Sequence, residues 1–198
     1  MTTRGGHIIS DPPIARWLFS NTEVSWIWLI LRVYLGWQWI DASLHKLSDP
    51  RWMENGTALQ GFWIRAAGLA EGSKPLIVFD WYRAFIQFLV EGGHYVWFAK
   101  LVAVGEFAIG IALVLGAFVG FAALFGALMN WNFMMAGTAS TNPLLFVIAI
   151  LLLMAWKTAG YWGADRFLLR VLGTPWSNAS KEEPARAAAP APQVQPAR

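Results

Sequence analysis

Between Val24 and Leu47 the chain carries a run apolar enough to cross a bilayer, and within it stand Arg32, Asp41, His45 and Lys46. In hydrocarbon an ionised side chain is expensive unless it is paired, hydrated or turned into a protein interior. A helix built from this run must therefore pack its polar groups against other helices or along a hydrated cavity. The sequence supplies such helices. Of its 198 residues 57% are hydrophobic and 14% charged, against roughly 45–50% and about 25% in soluble domains.

Three further apolar runs follow. The second extends from about Val96 to Val119 and the third from about Phe121 to Gly137, with only GAFVG between them. The fourth begins at Asn142, read as a cap, with Pro143 as its first helical residue, and ends near Ala159 before Gly160. The expected fold is all-α: an integral membrane four-helix bundle with a long extracytoplasmic loop between spans 1 and 2. In that loop Thr57 to Ala70 and Asp80 to Val90 read as short helices with aromatic faces. The alternative is an irregular loop whose tryptophans mark the headgroup level. GADRFLLRVLG, after the last span, reads as a short amphipathic helix with Phe167, Leu168, Val171 and Leu172 on one face.

Residues 1–23 form an N-terminal segment without the pattern of a cleaved signal peptide, 24–173 the four-span domain, and 174–198 a disordered Ala/Pro-rich tail. An even number of spans and the distribution of Lys and Arg place both termini in the cytoplasm and the protein in the cell membrane as a multi-pass protein. The lipid bilayer is then its first partner. A net charge of +3, with basic residues flanking the apolar runs, fits loop topology and predicts no nucleic-acid partner. With no cysteine, the chain has no disulfide, thiolate-bound zinc or iron–sulfur cluster of its own. His7, His45 and His94 lack any close ligand spacing, so no metal is predicted. A haem between His45 and His94 is the one alternative.

Helical rotation sorts the first span into two polar faces: Arg32, Gly36, Trp39, Ser43 and Lys46 on one, and Tyr34, Gln38, Asp41 and His45 on the other. A helix polar on two sides should sit centrally or line a cavity. The second span carries Glu106 on a stripe with Ala99, Ala103, Gly110 and Ala117, and the third carries Asn130 with Ala122, Gly126, Phe133 and Gly137, Asn132 being turned away. Counting the rise per residue from the cytoplasmic side puts Arg32 about 10–12 Å deep, Asn130 about 14 Å and Glu106 about 16 Å. That leads to the expectation of an Arg32–Glu106 pair with Asn130 as its partner. Two readings of the cluster stay open: a lock on helix register, or a polar pocket with Arg32 as donor and Glu106 as proton acceptor. Asp41, His45 and Lys46 fall near the outer interface. There they suit the proton path and hydrogen bonds of a quinone headgroup, the alternative being that Lys46 snorkels outwards and Asp41 caps loop amides.

LRVYLGWQWIDASLHKLSDP, GEFAIGIALVLGAFVGFAALFGALMNWNF and NPLLFVIAILLLMAWKTAGYWGADRFL, in this order and spacing, resemble the DoxX/DoxD family of small four-span membrane proteins. The resemblance covers about Ile27 to Leu169 and is closer to the DoxD branch. It implies a membrane subunit of the kind found in thiosulfate:quinone oxidoreductase, passing electrons to quinone, or an accessory subunit of another redox assembly. By motif match it carries over Arg32, Gly36, Lys46, Glu106 and Asn130.

Three functions follow as expectations. The first is a quinone-linked oxidoreductase subunit acting with a partner subunit or as a homo-oligomer, with Arg32 and Glu106 as catalytic groups and Asp41, His45, Lys46 and Asn130 binding substrate or quinone. The second is a non-catalytic assembly subunit of a redox complex. The third, a small transporter, lacks the inverted repeat and broken helix that such proteins use.

Overall fold

A computed structural model describes residues 11–172. His7 and the segment 174–198 lie outside the described residues. Among those described, every regular element is a helix: α1 (Pro13–Ser20), α2 (Ser25–Leu47), α3 (Pro50–Met53), α4 (Thr57–Ala67), α5 (Asp80–Glu91), α6 (Tyr95–Leu115), α7 (Val119–Met135), α8 (Asn142–Met154), α9 (Trp156–Ala159) and α10 (Asp165–Val171), with a 3-10 turn at Thr22–Val24 leading into α2. α1 has no counterpart in the sequence reading. It begins with Pro13 at a position where a missing N–H costs nothing. The Trp28 indole donates to Leu18 O at 2.9 Å and ties it to α2.

Four helices close a ring in which α2 packs on α6 and α8, and α7 on α6 and α8. The α2–α6 contact is close because it is made by glycines. A Cβ on Gly36 would lie 2.8 Å from the Gly110 carbonyl oxygen, and one on Gly110 would lie 2.9 Å from that of Gly36. Ala99 and Ala103 continue this stripe, fully buried. Helix backbones approach in this way where small residues repeat at four-residue spacing.

The core of the ring centres on Trp28, Leu35 and Trp39 of α2, Leu113 of α6, Ala123 of α7 and Leu152 of α8. A second cluster joins Leu59 and Trp63 of α4 and Tyr82, Ile86 and Leu89 of α5 to Ala99 and Ala136. The two short helices of the long loop therefore form, and they cap one end of α6 and α7. At about 1.5–3 kcal/mol per large side chain buried, this cap is a packed part of the fold and not an irregular connection.

Several boundaries differ from expectation. α6 stops at Leu115 and α7 starts at Val119, because the hairpin consumes three residues, with Gly116 at φ 69° and Phe118 at φ 50°. Asn142 is the first residue of α8 and not its cap, its side chain instead donating to Thr138 O at 3.0 Å. The fourth run is interrupted at Ala155, after which α9 resumes. In α10, Phe167, Val171 and Leu172 are exposed together.

α6, with 21 residues, is the one described helix long and apolar enough throughout to cross a membrane; α7 and α8 are apolar but shorter. The outside of the ring carries exposed apolar side chains on every face, among them Trp37, Leu101, Val104, Phe121, Phe125 and Val147.

Candidate functional site

The polar residues of the bundle fall into two clusters, and the division is not the expected one. Arg32 does not pair with Glu106. Its Nη1 donates to the carbonyls of Leu113 (2.5 Å) and Val114 (2.9 Å), and its Nη2 to Trp162 O (3.2 Å). These carbonyls belong to the end of α6 and the turn before α10, where helix geometry leaves acceptors without intrahelical donors.

Two features exclude the expected pair. With Gly36 packed on Gly110 in antiparallel helices, Arg32, four residues before Gly36, stands level with Val114. It is then eight residues (114 minus 106), or about 12 Å, from Glu106. In addition, helical side chains lean towards the N-terminus of their own helix. Arg32 therefore leans away from Glu106, and Lys46 leans towards it.

Asp165 completes this first cluster. Ala164 N–H donates to Leu115 O at 3.1 Å and Asp165 N–H to Gly116 O at 2.8 Å. The Asp165 carboxylate in turn accepts from Phe118 N–H at 2.5 Å and Val119 N–H at 2.9 Å. A side chain from α10 thus caps the amides at the start of α7. Burial pushes its carboxyl above the usual range, against the pull of the two amides and of Arg32. The Arg32 guanidinium thus answers backbone carbonyls and the Asp165 carboxylate backbone amides, so this cluster locks the hairpin, with the buried Arg32 Nε alone left without a partner.

The second cluster is the candidate site. Lys46 Nζ lies 2.6 Å from Glu106 Oε1 and 2.5 Å from Oε2. The Glu106 side chain is 1% exposed and that of Lys46 20%. The rings of Trp52 and Phe133, 5.2 and 5.8 Å from the ammonium, flank it. The pair lines a cavity of about 470 Å³ together with Gln38, Trp39, Asp41 and Asn130, and with Arg65 of α4 and Thr141 before α8. Asn130 is fully buried, and neither its Oδ1 nor its Nδ2 has a hydrogen-bond partner; the Trp39 Nε1 is likewise unpartnered. Such groups are costly to bury unbonded, typically about 1–3 kcal/mol each, and here they border a space able to hold a polar ligand.

Of the residues expected in a site, Lys46, Glu106, Asn130 and Asp41 come together on this cavity. Arg32 is elsewhere, and His45 is exposed and does not line the cavity. The second polar face of α2 is not covered either, since Tyr34, Asp41 and His45 are exposed. Of this face, Gln38 and Asp41 line the cavity and His45 lies in the last turn of α2, while Tyr34 stands mid-helix on the outside of the ring. His94, the other half of the haem alternative, accepts from Trp97 Nε1 at 3.3 Å and packs on Phe88. Among the described residues no three His, Asp or Glu side chains cluster as a metal site would require.

Trp39 and Asp165 are absent from the sequence-based site. The signal for Asp165 was a lone carboxylate in a segment otherwise basic or apolar. For Trp39 it was its place on the same face of the first span as Lys46. Compared with known protein families, curated proteins and solved structures, the chain matches none.

Proposed function

We propose that the chain is a multi-pass subunit of the cell membrane, with α2, α6, α7 and α8–α9 as four spans and both termini in the cytoplasm, and that it serves a quinone-linked oxidoreductase. The apolar side chains exposed around the ring support the membrane reading, since a soluble surface seldom carries contiguous apolar patches beyond a few hundred Å². The observation that carries the redox reading is the Lys46–Glu106 pair bordering a cavity with the unpartnered Asn130 amide. A quinone ring presents carbonyl acceptors that become hydroxyl donors on reduction. The Asn130 amide, with one donor and one acceptor free, matches that head in both states, so the residues present fit it.

In this scheme a partner subunit delivers the electrons, with thiosulfate or a related sulfur compound as the donor implied by the family resemblance. Reduction takes two electrons from the partner and two protons: the Lys46–Glu106 pair holds one proton, passes it to a quinone oxygen and regains it from water through the polar cavity, and the second reaches the other oxygen from water by the same cavity. Arg32, bonded to helix-end carbonyls, keeps a structural role. The test is quinone reduction by the purified protein with its natural partner and thiosulfate. Activity lost in Glu106→Gln while the complex remains assembled supports the proposal, and no quinone reduction by the unaltered pair would sink it.

A second reading, a non-catalytic assembly subunit, is favoured by the exposed aromatic row Phe79, Trp81, Phe85 and Phe88 on and before α5, a surface suited to docking. It predicts that Glu106→Gln leaves turnover of the complex intact.

A further inference from the structure

We infer that the site takes a neutral, single-chain amphiphile that enters sideways from the bilayer, its chain in the groove between α6 and α7 and its head in the Lys46–Glu106 pocket. This rests on the quinone reading only for the identity of the head. An apolar cavity of about 550 Å³ runs between α6, from Phe98 to Ile109, and α7, from Phe125 to Phe133, under α4 and α5. The Tyr82 hydroxyl on its wall donates to Asn132 Oδ1 at 3.1 Å, and Asn132 Nδ2 donates to Leu128 O at 2.8 Å, so these groups are already bonded. Leu101, Phe125 and Leu128, at the rim, are 57%, 55% and 45% exposed on the outside of the ring. The groove therefore opens onto the apolar belt, and a hydrocarbon chain enters it without crossing water.

Leu59, Phe62 and Phe133 line both this groove and the polar cavity. These three side chains are the shared boundary at which a chain in the groove meets a head in the pocket. The charges of Lys46 and Glu106 cancel in a direct pair. At the buried end of the cavity what remains for a ligand is the donor and acceptor of the Asn130 amide, while Asp41 and Arg65 stand on its exposed side. An uncharged head with a carbonyl or hydroxyl answers the Asn130 amide; a charged one carried to that buried end would leave Arg65 and Asp41 at the mouth and meet only a pair whose charges already cancel.

Gly105 gives the means to test the groove. It lies on the groove wall, and a Cβ there would meet nothing within 4 Å. Gly105→Phe therefore starts a bulky side chain into the groove from a point where its first carbon has room. The experiment measures binding of a decyl-tailed benzoquinone, the same ring without its tail, and a monoacylglycerol to full-length protein in nanodiscs. For Gly105→Phe the expected result is a loss of about tenfold or more for the decyl-tailed quinone, as when two methylenes leave an apolar wall. The tail-less ring should bind the variant as it binds the unaltered protein, and the melting temperature should not fall. Equal affinity for tailed and tail-less quinone, or tailed binding untouched by Gly105→Phe, overturns the inference. Binding of the monoacylglycerol but not of quinone, blocked by Gly105→Phe, upholds the groove and refutes the quinone reading. No binding of any of the three refutes both.

Discussion

Lys46 holds both carboxylate oxygens of Glu106, at 2.6 and 2.5 Å, and so joins the end of α2 to the middle of α6. A lysine near the end of a membrane helix would ordinarily extend towards water. Here its stem runs inward, because Cβ atoms lean towards the helix N-terminus and a buried carboxylate lies in that direction.

Removing either partner strands the other charge. Lys46→Ala and Glu106→Ala should each destabilise the protein by about 3–5 kcal/mol, and Lys46→Met with Glu106→Leu together should cost much less than the sum. Thermal unfolding in detergent, arranged as a double-mutant cycle, measures the coupling. Additivity would mean that the two side chains do not interact.

Arg32 and Glu106 should behave as strangers. Arg32→Ala removes three hydrogen bonds to carbonyls and should destabilise the protein, but combined with Glu106→Ala its effect should add within about 0.5 kcal/mol. The same unfolding assay decides this, and strong coupling would restore the pair expected from the sequence.

Asp165→Ala leaves the Phe118 and Val119 amides at the hairpin without their acceptor. A loss of about 1–3 kcal/mol is expected, and a smaller one for Asp165→Asn, which keeps one oxygen. Hydrogen exchange at residues 118–119 should accelerate in Asp165→Ala before the rest of α7 responds.

Two glycines of similar helical setting should respond with opposite sign. Gly36→Ala drives a methyl to 2.8 Å from the Gly110 carbonyl oxygen and should cost about 1–3 kcal/mol, since backbone cannot yield as a side chain does. Gly105→Ala meets open space and should stabilise by about 0.5–1 kcal/mol through helix propensity. Melting temperatures of the two variants side by side give the answer.

Much of this was legible in the sequence. The stripe of Ala99, Ala103, Glu106 and Gly110 and the face of α2 holding Arg32, Gly36, Trp39 and Ser43 are both buried, as 3.6-residue periodicity requires, whereas Ala117 falls in the hairpin beyond α6 and Lys46 is half-buried. The starts of the two cap helices, Thr57 and Asp80, stand where they were read. Pairing was not legible. Depth counted from a bilayer edge treats each helix alone, whereas the contact of Gly36 with Gly110 sets the register between them, and the lean of each side chain decides which neighbour it reaches. The role of Asp165 depends on α10 folding back on the hairpin 47 residues earlier, a long-range contact that local periodicity does not record.

The most direct test of the Lys46–Glu106 pocket as a quinone site is Asn130→Leu. Its amide is buried and unpartnered, so replacing it with an apolar side chain of similar size should leave the melting temperature unchanged or higher. Binding of a tailed benzoquinone to the variant in nanodiscs should nevertheless be lost. Undiminished quinone binding by a folded Asn130→Leu protein would contradict the assignment.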